Sequence, residues 1–206
     1  MSCLARILPY CSVSLDPDLI ADKIAAIMDT ARIFFALWPT DNERRALAAW
    51  QVALKALCGG RVMTPATLHN TLVFLGEVEM ARLEALKLAA DEVTAARFNL
   101  CFDQARYWGH NHILYAAPGV VPPQLVQLVS ELERHLIAHR FKFDQREYKP
   151  HVTLLRKALW RDDALPEMTP VRWRIDEFVL LQSEQQEGGV SYQVLARFPL
   201  SKKNIA

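Results

Sequence analysis

The sequence has almost no imbalance of charge: 24 Lys and Arg stand against 23 Asp and Glu in 206 residues, a formal net charge of +1. A protein that lives on long nucleic acid carries a basic stripe and a high isoelectric point, so any nucleic-acid contact here is local and small. Paired cysteines are lacking as well. Cys3, Cys11, Cys58 and Cys101 are scattered, with no CxxC and no zinc-like spacing, which reads as reduced thiols in an intracellular, cytoplasmic protein. No apolar run approaches the length of a membrane span. Low-complexity segments and an inter-domain linker are absent too. What remains is a chain whose 51% hydrophobic residues supply a sizeable core for one domain or for two lobes that share it.

The first residues stand apart. "LARILPYCSVSL" is interrupted by Arg6 and Pro9, which argues against a secretory signal, and "DLIADKIAAIM" has the pattern of a short amphipathic helix. The expectation is that Met28 is the natural start, that residues 1–27 are an N-terminal extension outside the fold, and that residues 28–206 form a single domain of two lobes.

From there the pattern alternates. "ARIFFALWP" is a continuous apolar run closed by Pro39, the mark of a buried strand. Thr40 or Asp41 then caps a helix through about Leu57, with Leu47, Trp50 and Leu54 on one stripe and Gly59–Gly60 as its stop. "LHNTLVFLG" reads as a strand and residues 79–96 as a helix. "FNLCFDQARYW" and "HILYAAP" read as two strands joined at Gly109–His110–Asn111. Pro122 and Pro123 open a third helix to about His139. "KPHVTLLRK" is a further strand, and "VRWRIDEFVLLQSE" with "VSYQVLARFPL" a closing hairpin. The order β-α-β-α-β-β-α-β-β-β predicts an α+β fold.

Two of these strands carry the same polar insertion. His69 and Thr71 lie two apart in one, His151 and Thr153 two apart in the other, and side chains at that spacing share a face. If the strands lie side by side, two imidazoles and two hydroxyls converge on one cleft. A histidine pair can act as acid and base near neutrality. The threonine hydroxyls suit the non-bridging oxygens of a phosphodiester, and Arg156 suits its negative charge. Strict alternation, however, puts Arg156 and Phe74 on the face away from the cleft, so each strand must end, twist or bulge to bring them in. Asn70, in the middle of the first motif, falls on the core-facing side, where it needs a hydrogen-bond partner or a strand that is partly open.

"LHNTLVFLGEV" and "PHVTLLR" resemble the paired His-x-Thr-x signatures of the two-histidine (2H) phosphoesterases, above all the bacterial RNA 2′,3′-cyclic phosphodiesterases once called 2′-5′ RNA ligases. "RIFFALWP" is similar to that family's first strand, and the likeness runs from about Met28 to Leu200. The resemblance implies a bilobed α+β fold with pseudo-two-fold symmetry, antiparallel sheets lining a central cleft and helices outside. It implies His69 as proton donor to the leaving 3′ oxygen, His151 as proton acceptor that activates water, Thr71, Thr153 and Arg156 on the phosphate, and Phe74 against a base. Metal-independent hydrolysis of RNA ends or nucleotides with a 2′,3′-cyclic phosphate to 2′-phosphomonoesters follows, with no cofactor, no metal, no membrane and no obligate protein partner, as a monomer. Ligation of RNA halves through a 2′-5′ linkage at the same site, and a module that only binds RNA ends, are the alternatives.

Other constellations are set aside. His110 and His112 have a metal-like spacing but fall in a turn with no Cys or acidic cluster beside them. His135 and His139, four apart on a helix, lack an acidic residue of the zinc-helix kind and are expected on the surface. Trp108, Trp160 and Trp173 are expected in core or rim packing, and Cys58 and Cys101 carry no sign of activation.

Overall fold

A computed structural model of the chain describes residues 29–161, 165–187 and 189–201; the expected extension, 1–27, lies outside these. The apolar run after Thr30 forms β1 (Thr30–Leu37), a central strand buried on both faces from Ile33 onward, because Ile33, Phe35 and Leu37 enter the main core while Phe34 and Ala36 pack in a second cluster. Pro39 ends it. Thr40 takes an extended conformation before α1 (Asp41–Cys58), and the Glu43 carboxylate accepts its backbone N–H at 3.1 Å, closing a capping box. Leu47, Trp50 and Leu54 are the buried stripe of α1.

The remaining elements are β2 (Arg61–Val62), β3 (Asn70–Glu79), α2 (Leu83–Asp91), β4 (Phe98–Phe102), β5 (Gln104–Trp108), β6 (Ile113–Ala117), α3 (Pro123–Ala138), β7 (Val152–Arg156), β8 (Val171–Ile175), β9 (Glu177–Gln186) and β10 (Gly189–Pro199). They make two four-stranded sheets, β10-β9-β1-β3 and β2-β7-β6-β5, and a two-stranded ribbon, β4-β8, all with antiparallel pairing. The α+β class is as the sequence pattern predicts.

Two single strands of that pattern are in fact pairs. "FNLCFDQARYW" breaks at Asp103 and "VRWRIDEFVLLQSE" at Asp176, where the chain passes from the shared ribbon into one sheet or the other. Each aspartate is held at its corner: the Asp103 carboxylate accepts the Gly119 N–H at 2.6 Å, and the Asp176 carbonyl accepts the Leu200 N–H at 2.8 Å. The second helix is also shorter than its periodicity, because β3 runs on to Glu79 and a 3₁₀ turn over Met80–Arg82 intervenes.

The helices interlock the sheets. α1 leaves the first sheet but packs on β7 of the second, while α3 leaves the second and packs on β3 of the first. One apolar core therefore runs through both, from Leu37 and Leu72 to Leu114 and Leu154. On the opposite face of each sheet lies a small separate cluster: Phe34, Ala36, Val179 and Leu181 on one, Ile113, Tyr115 and Ala117 on the other. Those two faces hold the site.

Candidate active site

Both motif strands break register at the same place. Ala36 pairs with Thr71 but Phe35 with Val73, so Leu72 is an extra residue in β3. Tyr115 pairs with Thr153 but Leu114 with Leu155, so Leu154 is the extra residue in β7. Each bulge resets the alternation by one. Leu72–Val73 and Leu154–Leu155 both turn into the core, and Phe74 and Arg156 emerge on the same face as the threonines. Of the three ways by which each strand could bring them in, the structure uses the bulge, in both strands.

The second bulge is held from α1. Its extra carbonyl, that of Leu154, accepts the Met63 N–H at 2.9 Å and the Gln51 side-chain amide at 3.0 Å. Gln51 is buried, and its amide also reaches the Met63 carbonyl at 2.8 Å. Just before β2, Gly60 sits at φ +79°, where a Cβ would stand 2.7 Å from the Arg156 carbonyl oxygen. Only glycine lets the chain pass that close.

The two histidines stand immediately before their strands in matching poses. His69 Nδ1–H donates to the Thr67 carbonyl at 2.7 Å, and His151 Nδ1–H donates to the Lys149 carbonyl at 2.7 Å. A carbonyl only accepts, so the Nδ1 proton is fixed and Nε2 is left to titrate. Each ring rests on aromatics of its own sheet: His69 lies 5.0 Å from Phe34 and 4.9 Å from the edge-on Tyr192, and His151 lies 4.7 Å from the edge-on Trp108. Trp108, expected in packing, is thus a holder of His151. Tyr192 is the residue here that nothing in the sequence pattern singled out.

Asn70 ties the two motifs together. It is fully buried, and its Oδ1 accepts the His151 backbone N–H and the Tyr148 hydroxyl, each at 3.4 Å; its Nδ2 has no partner. The polar residue in a core position is therefore a bridge from β3 to the residue that opens β7.

His69, Thr71, Phe74, His151, Thr153 and Arg156 all line one cavity of about 430 Å³. Burial pushes the His69 imidazole down to about 4, against its bond to the Thr67 carbonyl, and the positive charges of His151 and Arg156 lower it further. Burial also lowers His151, with Arg156 adding to the effect. The site is thus an electropositive recess that disfavours protonated imidazole until an anion enters.

None of the other histidines lines that cavity, although His110 lines an adjoining one that shares Thr71, Phe74 and His151 with it. His110 and His112 are exposed, with Nδ1 of His112 2.9 Å from the Tyr107 hydroxyl. His135 and His139 are not bare surface residues. His135 is buried, and Glu92 at the end of α2 binds both, to His135 Nδ1 at 2.8 Å and to His139 Nε2 at 3.1 Å. Glu92 thus pins the end of α2 to α3, and Glu131 of α3 itself stands 3.8 Å from His135 Nε2. Among the described residues no group of three or more His, Cys, Asp or Glu is placed to hold a metal, and no helix is long and apolar enough to cross a membrane.

Comparison with known proteins converges on one family. The model of the 2′-5′ RNA ligase superfamily matches residues 38–187. The RNA 2′,3′-cyclic phosphodiesterase of Escherichia coli is 29% identical over 171 residues, 83% of this chain and 97% of the relative. That of Thermus thermophilus is 26% identical over 185 residues, 82% of this chain and 90% of the relative. The crystal structure of E. coli LigT complexed with 3′-AMP superposes with a TM-score of 0.77 at 28% identity, covering 84% of this chain and 99% of that one.

Proposed function

This chain belongs to the 2′-5′ RNA ligase superfamily, and on that footing we propose that it is an RNA 2′,3′-cyclic phosphodiesterase whose two histidines hydrolyse the cyclic end to a 2′-phosphomonoester. One observation carries the reading. Two imidazoles, each tied through Nδ1 to a carbonyl two residues upstream, line a single cavity, with a threonine two residues beyond each. His151 Nε2 takes a proton from water as the water oxygen attacks phosphorus. His69 Nε2 delivers a proton to the 3′ oxygen as the P–O3′ bond breaks. Thr71 and Thr153 donate hydrogen bonds to the non-bridging oxygens, and Arg156 offsets the charge that builds there. Phe74 offers its ring to the terminal base. The substrate is an RNA end or nucleotide with a 2′,3′-cyclic phosphate, and the enzyme works without metal or cofactor, as a monomer in the cytoplasm. The relatives named for this activity, matched over more than four-fifths of the chain, support the assignment.

The test is direct. Incubated with a 2′,3′-cyclic nucleotide in chelator, the protein is expected to release the 2′-phosphate isomer at an undiminished rate. Loss of activity in chelator that zinc or manganese restores would contradict the metal-independent mechanism. Tight binding of the cyclic end without turnover would leave only an RNA-end-binding module.

The pH profile has a sign of its own. kcat/KM reports the free enzyme, which needs one imidazole neutral and the other protonated. Both are lowered from the ordinary value near 6.5, so the bell of kcat/KM should peak below that value. The bound phosphate anion raises both imidazoles, so the bell of kcat should lie at higher pH. A kcat/KM maximum above neutrality would show that the burial and the arginine do not govern the pair.

A further inference from the structure

The cavity holds more positive charge than one cyclic phosphate needs. Arg32, Arg146 and Arg156 line it, and no Asp or Glu does, although the whole chain is almost neutral. Arg146 is offset by its ion pair with Asp144. Arg32 and Arg156 take part in none of the ion pairs among the described residues. Arg156 accounts for the cyclic phosphate: its charge bears on both imidazoles.

Arg32 stands at the other end of a row. Phe34 lies 5.0 Å from His69, Phe74 lies 6.5 Å from Phe34, and the Arg32 guanidinium lies 5.0 Å from the Phe74 ring, centre to centre. Its charge bears on Tyr192 and on neither histidine. Glu77 pairs with Arg32 in the β1–β3 ladder, yet its carboxylate meets the Thr30 hydroxyl at 3.4 Å instead of the guanidinium. On the other side Arg32 pairs with Ser183 of β9, which also lines the cavity, as does Gln185 on the same strand. A planar cation, a hydroxyl and an amide thus collect beyond the aromatic row, with no carboxylate among them.

We propose that Arg32, with Ser183, is a subsite for a second phosphate, the one on the 5′ side of the terminal nucleotide. The inference rests on the phosphodiesterase reading and refines its substrate. A terminal nucleoside seated beside Phe74, its cyclic phosphate between the histidines, has its 5′ oxygen at the opposite end of the ribose, toward the Arg32 guanidinium, which rests on the Phe74 ring and is neutralised by no carboxylate among the described residues. Arginine binds phosphate through two parallel N–H donors, so the subsite discriminates a 5′-phosphorylated end from a bare nucleoside.

Three substrates test this: adenosine 2′,3′-cyclic phosphate, the same compound with a 5′-phosphate, and the dinucleotide ApA ending in a 2′,3′-cyclic phosphate. Both phosphorylated substrates should exceed the first in kcat/KM by on the order of 10-fold, the worth of one charge-assisted contact, and less at high salt. In Arg32→Gln the ratio should fall toward one, and in Arg32→Lys part of it should remain. Because each ratio is taken within one variant, a folding defect cancels. Equal rates on all three substrates in the unmodified enzyme, or an undiminished ratio in Arg32→Gln, would overturn the subsite. A gain with the dinucleotide alone would assign the region to base stacking and likewise overturn it. Failure to turn over any of the three would sink the phosphodiesterase reading itself.

Discussion

Alanine in place of His69 or of His151 is expected to lower kcat on a 2′,3′-cyclic nucleotide by roughly 10²- to 10⁴-fold, the usual share of a general acid or base, while the protein still melts cooperatively. Both rings stand on the wall of the cavity, only half-buried, so truncation widens an existing recess instead of opening a hole in the core. What each variant leaves behind is one carbonyl, of Thr67 or of Lys149, without its imidazole donor, at a cost of about 1–3 kcal/mol where water does not reach it. The double variant should be little worse than the poorer single one, because an acid without its base no longer completes the transfer. Steady-state kinetics and a thermal melt on the three variants decide it. Normal turnover in either single variant would remove that histidine from the mechanism, and loss of the cooperative melt would mean that the ring is structural.

The two motifs were legible because their signal is local and doubled. A histidine and a threonine two apart, twice, in apolar strands, mark shared faces without knowledge of the fold. Phe74 and Arg156 were not placed by the same rule, since a β-bulge depends on what the neighbouring strands and α1 supply. In β7 that supply includes Gln51, 103 positions from the carbonyl it holds. Asn70 was legible as a need and not as an answer: a core-facing amide requires a partner, and only the packing of β3 beside β7 reveals it as the His151 backbone. The strand breaks at Asp103 and Asp176 are not legible in the sequence, because an aspartate in an apolar run also fits a solvent-facing position of a continuous strand. Glu92 is hidden for the same reason as Gln51: the carboxylate that binds both His135 and His139 comes from another helix. Tyr192 lies in a terminal strand, and nothing short-range connects it to His69.

Removal of Arg156 tests the electrostatics of the site by two readouts at once. The guanidinium is exposed at the end of β7, beyond the bulge, so Arg156→Ala should leave the melting temperature nearly unchanged. Loss of one donor preorganised toward a developing oxyanion costs about 10²- to 10³-fold in kcat, and a comparable fall is expected here. The second readout is the pH profile. The arginine's positive charge lowers both imidazoles; without it each takes up a proton more readily, so the bell of kcat/KM should move to higher pH. Burial, the larger cause of the lowering for both rings, remains in place, so the bell should stop short of an ordinary histidine's. Arg156→Lys separates charge from shape. A lysine keeps the positive charge, and with it most of the acidic position of the bell, but it lacks the planar fork that meets two phosphate oxygens together. Its rate should therefore fall between those of the alanine variant and the unmodified enzyme. An alanine variant with unaltered kcat/KM would contradict the phosphate role of Arg156. If the rate drops while the bell stays where it was, the side chain acts through packing or RNA contact, and the charge that polarises the two histidines must come from elsewhere in the cleft.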